Sequence, residues 1–166
     1  MLQQKLFLPQ FIIHLIAILF VIFNISDIKI IGLSNVIPLF DLTAIFYFTV
    51  FRHVFGIWFI FLLGVWGDAL NGIPLGVTSL CYILIIKLFL LLNSKMMIRD
   101  NFRHIWRQFI VFCFLFLITK WLILSIFNGA FYSLFNLFVQ FILSSILYVV
   151  MHKFYDYLSQ KLLTDS

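Results

Sequence analysis

The sequence predicts an all-α, polytopic membrane protein with about six transmembrane helices and both termini in the cytoplasm. Three observations lead there. Of 166 residues, 64% are hydrophobic, 20% aromatic and only 10% charged. Globular domains carry about 25% charged residues, so this chain has too few polar side chains to cover a water-soluble surface. Apolar runs long enough to cross a bilayer recur from residue 6 to residue 151. At about 20 residues per crossing, six spans use about 120 residues and leave under about 50 for loops and tails. The basic residues, finally, collect on one side of the membrane.

The first span is expected at about 8–24. Lys5 before a short apolar core resembles a signal peptide, but no Ala-x-Ala site follows, so the segment reads as a retained helix. The second apolar stretch is interrupted by Gly32, Ser34, Asn35, Pro38 and Asp41. Pro38 lacks an N–H and disfavours helix at Ile37, so a continuous helix is expected only from near Pro38 to Phe51, within a span of about 36–51. The remaining spans are placed at about 54–70, 75–92, 108–127 and 131–151. Together they form a single integral membrane domain over 1–166.

Orientation follows from charge. Six spans put Lys5, Arg52, Lys95, Arg99, Arg103, Arg107, Lys153 and Lys161 on the side of the termini, against Lys29 alone on the other. Eight against one is a strong positive-inside asymmetry. Lys87 and Lys120 fall within spans. The outer loops, near 25–35, 71–74 and 128–130, are short and almost uncharged.

Composition also narrows the chemistry. All six acids are Asp, so a His-Glu-x-x-His metal site and any Glu general acid are excluded. Cys81 and Cys113 lie in apolar segments without Cys-x-x-Cys spacing and read as small core hydrophobes. His14 lies in the first span, and His53, His104 and His152 near cytoplasmic boundaries, with no metal-ligand spacing among them. No acid–base or nucleophile–base constellation can be named, so no catalytic residue, cofactor or metal site is expected. Nucleic-acid binding would need basic surface outside the membrane, and this chain offers too little.

The most specific local pattern joins the third and fourth spans: Gly64-Val-Trp-Gly67-Asp68-Ala-Leu-Asn71-Gly72-Ile-Pro74-Leu75-Gly76. Gly64 and Asp68 share a helix face. Gly64 and Gly67 leave room for a neighbouring helix to approach closely. Asn71-Gly72 is a helix stop, because glycine takes the left-handed conformation cheaply. A plain tight hairpin accounts for much of this. On the sixth span Ser133, Asn136, Gln140 and Ser144 make one polar stripe, either interhelical hydrogen-bond partners or the wall of a cavity or partner groove. Lys95, Arg99, Arg103 and Arg107 recur every four residues with Phe102, Trp106 and Phe109 among them. This cytoplasmic basic face suits anionic lipid or a docked cytoplasmic partner. Lys120 and Asp41 lie deep, where ionisable groups need a partner or a cavity.

The hairpin resembles the signature of the bacterial rod shape-determining protein MreD family, approximately Gly-x-x-x-Asp-x-x-Ser-Gly-x-x-Leu-Gly. Gly64, Asp68, Gly72, Leu75 and Gly76 match it, and Asn71 replaces the commoner Ser. Asp41-Leu42 through Tyr47 resembles the family's Pro-Asp-Leu run, with Phe40 where the Pro normally stands. The resemblance covers about 10–155. It implies a non-catalytic scaffold of the inner membrane, working beside MreC, the MreB filament, and the glycan polymerase and transpeptidase of lateral-wall peptidoglycan synthesis. It also implies a fold akin to the substrate-binding subunits of energy-coupling-factor vitamin transporters, which is the rival reading. Those subunits typically carry an Ala-x-x-x-Ala face on the first span, and here that span has only Ala17.

Asp68 leaves two readings open. A carboxylate in a helix's last turn faces the negative end of the macrodipole and needs an offsetting partner. Either it caps the fourth helix across the turn, using N–H groups near Leu75 and Gly76, or it pairs with Lys120.

Overall fold

A computed structural model of the protein describes residues 2–24, 37–93, 102–129 and 133–161. Among these the regular secondary structure is all helical, with no strand. It runs α1 (Leu2–Phe23), α2 (Phe40–Ile45) continuing as a π-helical segment (Phe46–Phe51), α3 (Ile57–Asn71), α4 (Val77–Asn93), α5 (Phe102–Asn128) and α6 (Leu134–Ser159). The mainly apolar α5 and α6, of 27 and 26 residues, are long enough to cross a membrane. The other helices contribute shorter apolar stretches, at Gln10–Phe23, Phe40–Val50, Ile57–Asn71 and Val77–Leu92. Lys95, Arg99, Lys29 and the loop expected at 25–35 lie outside the described residues.

Several boundaries differ from the expected spans. α1 begins at Leu2 rather than 8, and α6 runs to Ser159 rather than 151. α5 begins at Phe102 rather than 108, so Arg103 and Arg107 are exposed on its first turns. The larger difference is in the second segment. Its α-helix stops after six residues, at Ile45, and gives way to a wide π-helical segment.

Packing explains why that segment matters. Residues 41–50 are all buried, so neighbours enclose it on every side. The π-helical geometry spreads three consecutive aromatics in different directions. Phe46 meets Phe89 of α4, Phe109 and Phe112 of α5, and Tyr148 of α6. Tyr47 turns to His152 and Tyr155 of α6, and Phe48 packs on Tyr155 and Phe55. Around this axle α3 and α4 form a close hairpin, α5 packs between α4 and α6, and α1 lies against α2 and α3. Aromatic pairs of this kind contribute about 0.5–1.5 kcal/mol each beyond area burial. Among the described residues, eight of the chain's 23 phenylalanines are buried in this core, while others, such as Phe11, Phe127 and Phe135, are exposed on the outer faces of the helices.

Candidate functional site

Two constructions meet at one end of the bundle, the end holding the α3–α4 turn. The first is the turn itself. Gly72 takes φ 64°, and the Ile73 N–H reaches back to the Asp68 carbonyl at 3.0 Å, closing the helix C-terminus in a left-handed cap. Gly76 takes φ 97°, which frees its N–H to turn inward. The Asp68 carboxylate, fully buried, accepts from the Gly76 N–H at 2.9 Å and from the Thr78 N–H at 3.0 Å. It therefore caps α4, and no ion pair joins it to Lys120. Of the two readings open for Asp68, the cap is the one the structure contains.

Behind the turn, α3 and α4 touch almost backbone to backbone. A Cβ added at Gly64 would lie 2.7 Å from both the Cα and the N of Ser79. Ser79 Oγ in turn donates to the Phe61 carbonyl at 2.8 Å. Gly67 is different, since a Cβ there would sit at an ordinary 3.5 Å from Val21. Asn71 donates from Nδ2 to the Gly67 carbonyl at 2.8 Å, and Leu75 is exposed.

The second construction surrounds the irregular backbone before α2. With no regular helix over 37–39, the main-chain groups there need partners from elsewhere. Gln140 Nε2 donates to the Ile37 carbonyl at 2.9 Å, and Ser144 Oγ accepts the Leu39 N–H at 3.0 Å. Asn24 Oδ1 accepts the Phe40 N–H at 3.2 Å, while its Nδ2 donates to Asp41 Oδ1 at 2.5 Å. Asp41 Oδ1 also accepts the Leu42 N–H at 2.8 Å, and the buried Tyr82 hydroxyl donates to its other oxygen. The polar stripe of α6 is thus split in use. Gln140 and Ser144 hold the broken segment, Asn136 is half-buried and makes none of these bonds, and Ser133 stands at the helix N-terminus without a side-chain cap.

Between the two constructions lies a cavity of about 190 Å³, with Asn24, Asp41, Asn71, Thr78, Lys120 and Gln140 as its polar walls. Asp41 and Lys120, the two ionisable groups that the sequence singles out within spans, share it. Asn24, Tyr82 and Thr78 were missed in the sequence. Asn24 closes the first expected span, and Tyr82 and Thr78 fall within the fourth, expected at about 75–92, without standing out. An Asn closing an apolar helix opposite a Pro-interrupted one was the available signal.

At the opposite end, Tyr47 donates to Asp156 at 2.5 Å, His152 lies 3.2 Å from Asp156, and Arg52 donates to Ser159 Oγ at 2.7 Å. Ser159 Oγ donates to the Asp156 carbonyl rather than to a base. This network clamps the π-helical segment to α6 and presents no activated nucleophile. On α5, Arg107 contacts His104, and both Arg103 and Arg107 face outward.

Comparison of the chain with family models, with curated proteins and with solved structures finds no match to any of them.

Proposed function

We propose that the chain is a six-span inner-membrane scaffold of the bacterial cell-elongation complex, with both termini cytoplasmic. The observation that carries the reading is the α3–α4 hairpin. The residues that resemble the MreD signature at Gly64, Asp68, Gly72 and Gly76 each have a separate physical task there: close approach, cap and two left-handed turns. A motif whose positions each meet a distinct requirement is less easily an accident of an apolar sequence. The partners on this reading are the lipid bilayer, MreC, the MreB filament and the elongation glycan polymerase and transpeptidase. Arg103 and Arg107 would face anionic headgroups or the filament. In the host bacterium, depletion should turn rod-shaped cells round or swollen while vitamin uptake continues. Normal shape with defective uptake would replace this reading with the rival.

Topology is testable separately. α3 and α4, at 15 and 17 residues, extend about 22 and 26 Å, short of a hydrocarbon core of about 30 Å. The bilayer must thin locally, or the flanking residues must complete the crossing. In a background lacking Cys81 and Cys113, single cysteines at Ser94 and Asp165 should label only from the cytoplasm, and one at Asn128 only from outside. Labelling of position 165 from outside would overturn the arrangement.

The rival, a small-molecule-binding membrane subunit, is favoured by one observation: the polar cavity between Asp41 and Lys120.

A further inference from the structure

Asp41 and Lys120 bring opposite charges to one cavity and do not pair across it. Among the described residues Lys120 takes part in no hydrogen bond and no ion pair; its ammonium stands 5.8 Å from the centre of the Phe116 ring. Asp41 accepts three hydrogen bonds among the described residues, from the Asn24 amide, the Leu42 N–H and the Tyr82 hydroxyl. All three donors are neutral. A carboxylate offers about four lone-pair sites, so one remains, and no cation among the described residues pairs with the charge. Asp41 is buried and Lys120 half-buried, and two opposite charges left unpaired among the described residues are both stabilised by anything between them that answers both.

The possible occupants are unequal. A cation alone would answer Asp41 and be repelled by Lys120, and an anion alone would do the reverse. A bound metal would need converging ligands, and among the described residues no three His, Cys, Asp or Glu side chains come together. A molecule carrying both charges satisfies both walls, while Asn71, Thr78 and Gln140 supply neutral polar atoms between them. A volume of about 190 Å³ equals roughly six waters at about 30 Å³ each. That is the size of a small amino acid or of an ethanolamine phosphate headgroup.

We infer that this cavity binds a small zwitterion, with its anionic group on Lys120 and its ammonium on Asp41. The inference goes beyond the scaffold reading and does not depend on it. The full chain, purified in detergent free of zwitterionic lipid, should show saturable thermal stabilisation by β-alanine or phosphoethanolamine, or retain phosphatidylethanolamine over phosphatidylglycerol in native mass spectrometry. Stabilisation by the free compounds identifies a soluble ligand, and retention of the lipid alone identifies a headgroup. Propionate and ethylamine, each with one charge, should bind at least about tenfold more weakly than the zwitterion, and Lys120→Met should weaken the zwitterion by a similar factor. The proposal is overturned if none of the three zwitterions binds, if a singly charged analogue binds equally well, or if Lys120→Met binds unchanged. Should Lys120→Met not fold, the analogue comparison on the unaltered chain decides alone.

Discussion

Gly64→Ala is expected to destabilise the protein by about 2–4 kcal/mol, and Gly64→Val to remove it from membranes altogether. The new Cβ would lie 2.7 Å from the Cα and N of Ser79, where ordinary contacts begin at 3.4 Å. Those atoms are backbone, so no rotamer change relieves the clash. α3 and α4 would have to part by roughly 0.7 Å, the difference between these distances. Parting strains the Ser79–Phe61 bond and pulls the α4 N-terminus from Asp68, so the overpacking cost is joined by lost hydrogen bonds. Gly67→Ala is the internal control, because its Cβ meets only Val21 at 3.5 Å. Helix propensity favours Ala over Gly by up to about 1 kcal/mol, so this variant should be neutral or slightly stabilising. Thermal unfolding of the purified variants, with their levels in membranes, distinguishes the two glycines. Equal tolerance of Ala at both positions would refute the close crossing.

The same pair marks what was legible in the sequence. Both glycines could be read as small residues permitting close approach, but which of them a neighbour touches depends on the rotation of α3 against α4. Local chemistry was readable: the Gly72 stop, the Pro38 interruption and the reach of Asp68 across a short turn all involve neighbours within about ten residues. Contacts between distant segments were not. Gln140 and Ser144 looked like partners for another helix, and their partners are main-chain groups of Ile37 and Leu39, more than 100 residues earlier. Asp41 signalled a buried requirement without naming Asn24 or Tyr82 as its donors. The π-helical segment left no periodic trace, because a stretch buried on all sides has no polar face to reveal its pitch.

Asp68 gives the second large effect, and its variants separate charge from hydrogen bonding. Asp68→Ala leaves the inward N–H groups of Gly76 and Thr78 without an acceptor where the carboxylate is fully buried. Water cannot readily replace it at such a position, so the loss should reach about 2–4 kcal/mol, above the usual cost of a missing cap. Asp68→Asn keeps one oxygen. Placed where Oδ2 now lies, it can accept from both Gly76 at 2.9 Å and Thr78 at 3.0 Å, while the amide Nδ2, a donor, takes the place of the Oδ1 that Thr78 meets at 3.3 Å. Asn should therefore remain within about 1 kcal/mol of the unaltered protein, as capping Asn and Asp residues do elsewhere. A charge pair with Lys120 would make the opposite pattern, with loss in both variants and partial recovery when Lys120→Met is added to Asp68→Asn. The cap predicts no such recovery. Unfolding midpoints and membrane levels of the three variants decide between the patterns. A fully stable Asp68→Ala would mean that α4 finds its first hydrogen bonds without help from α3.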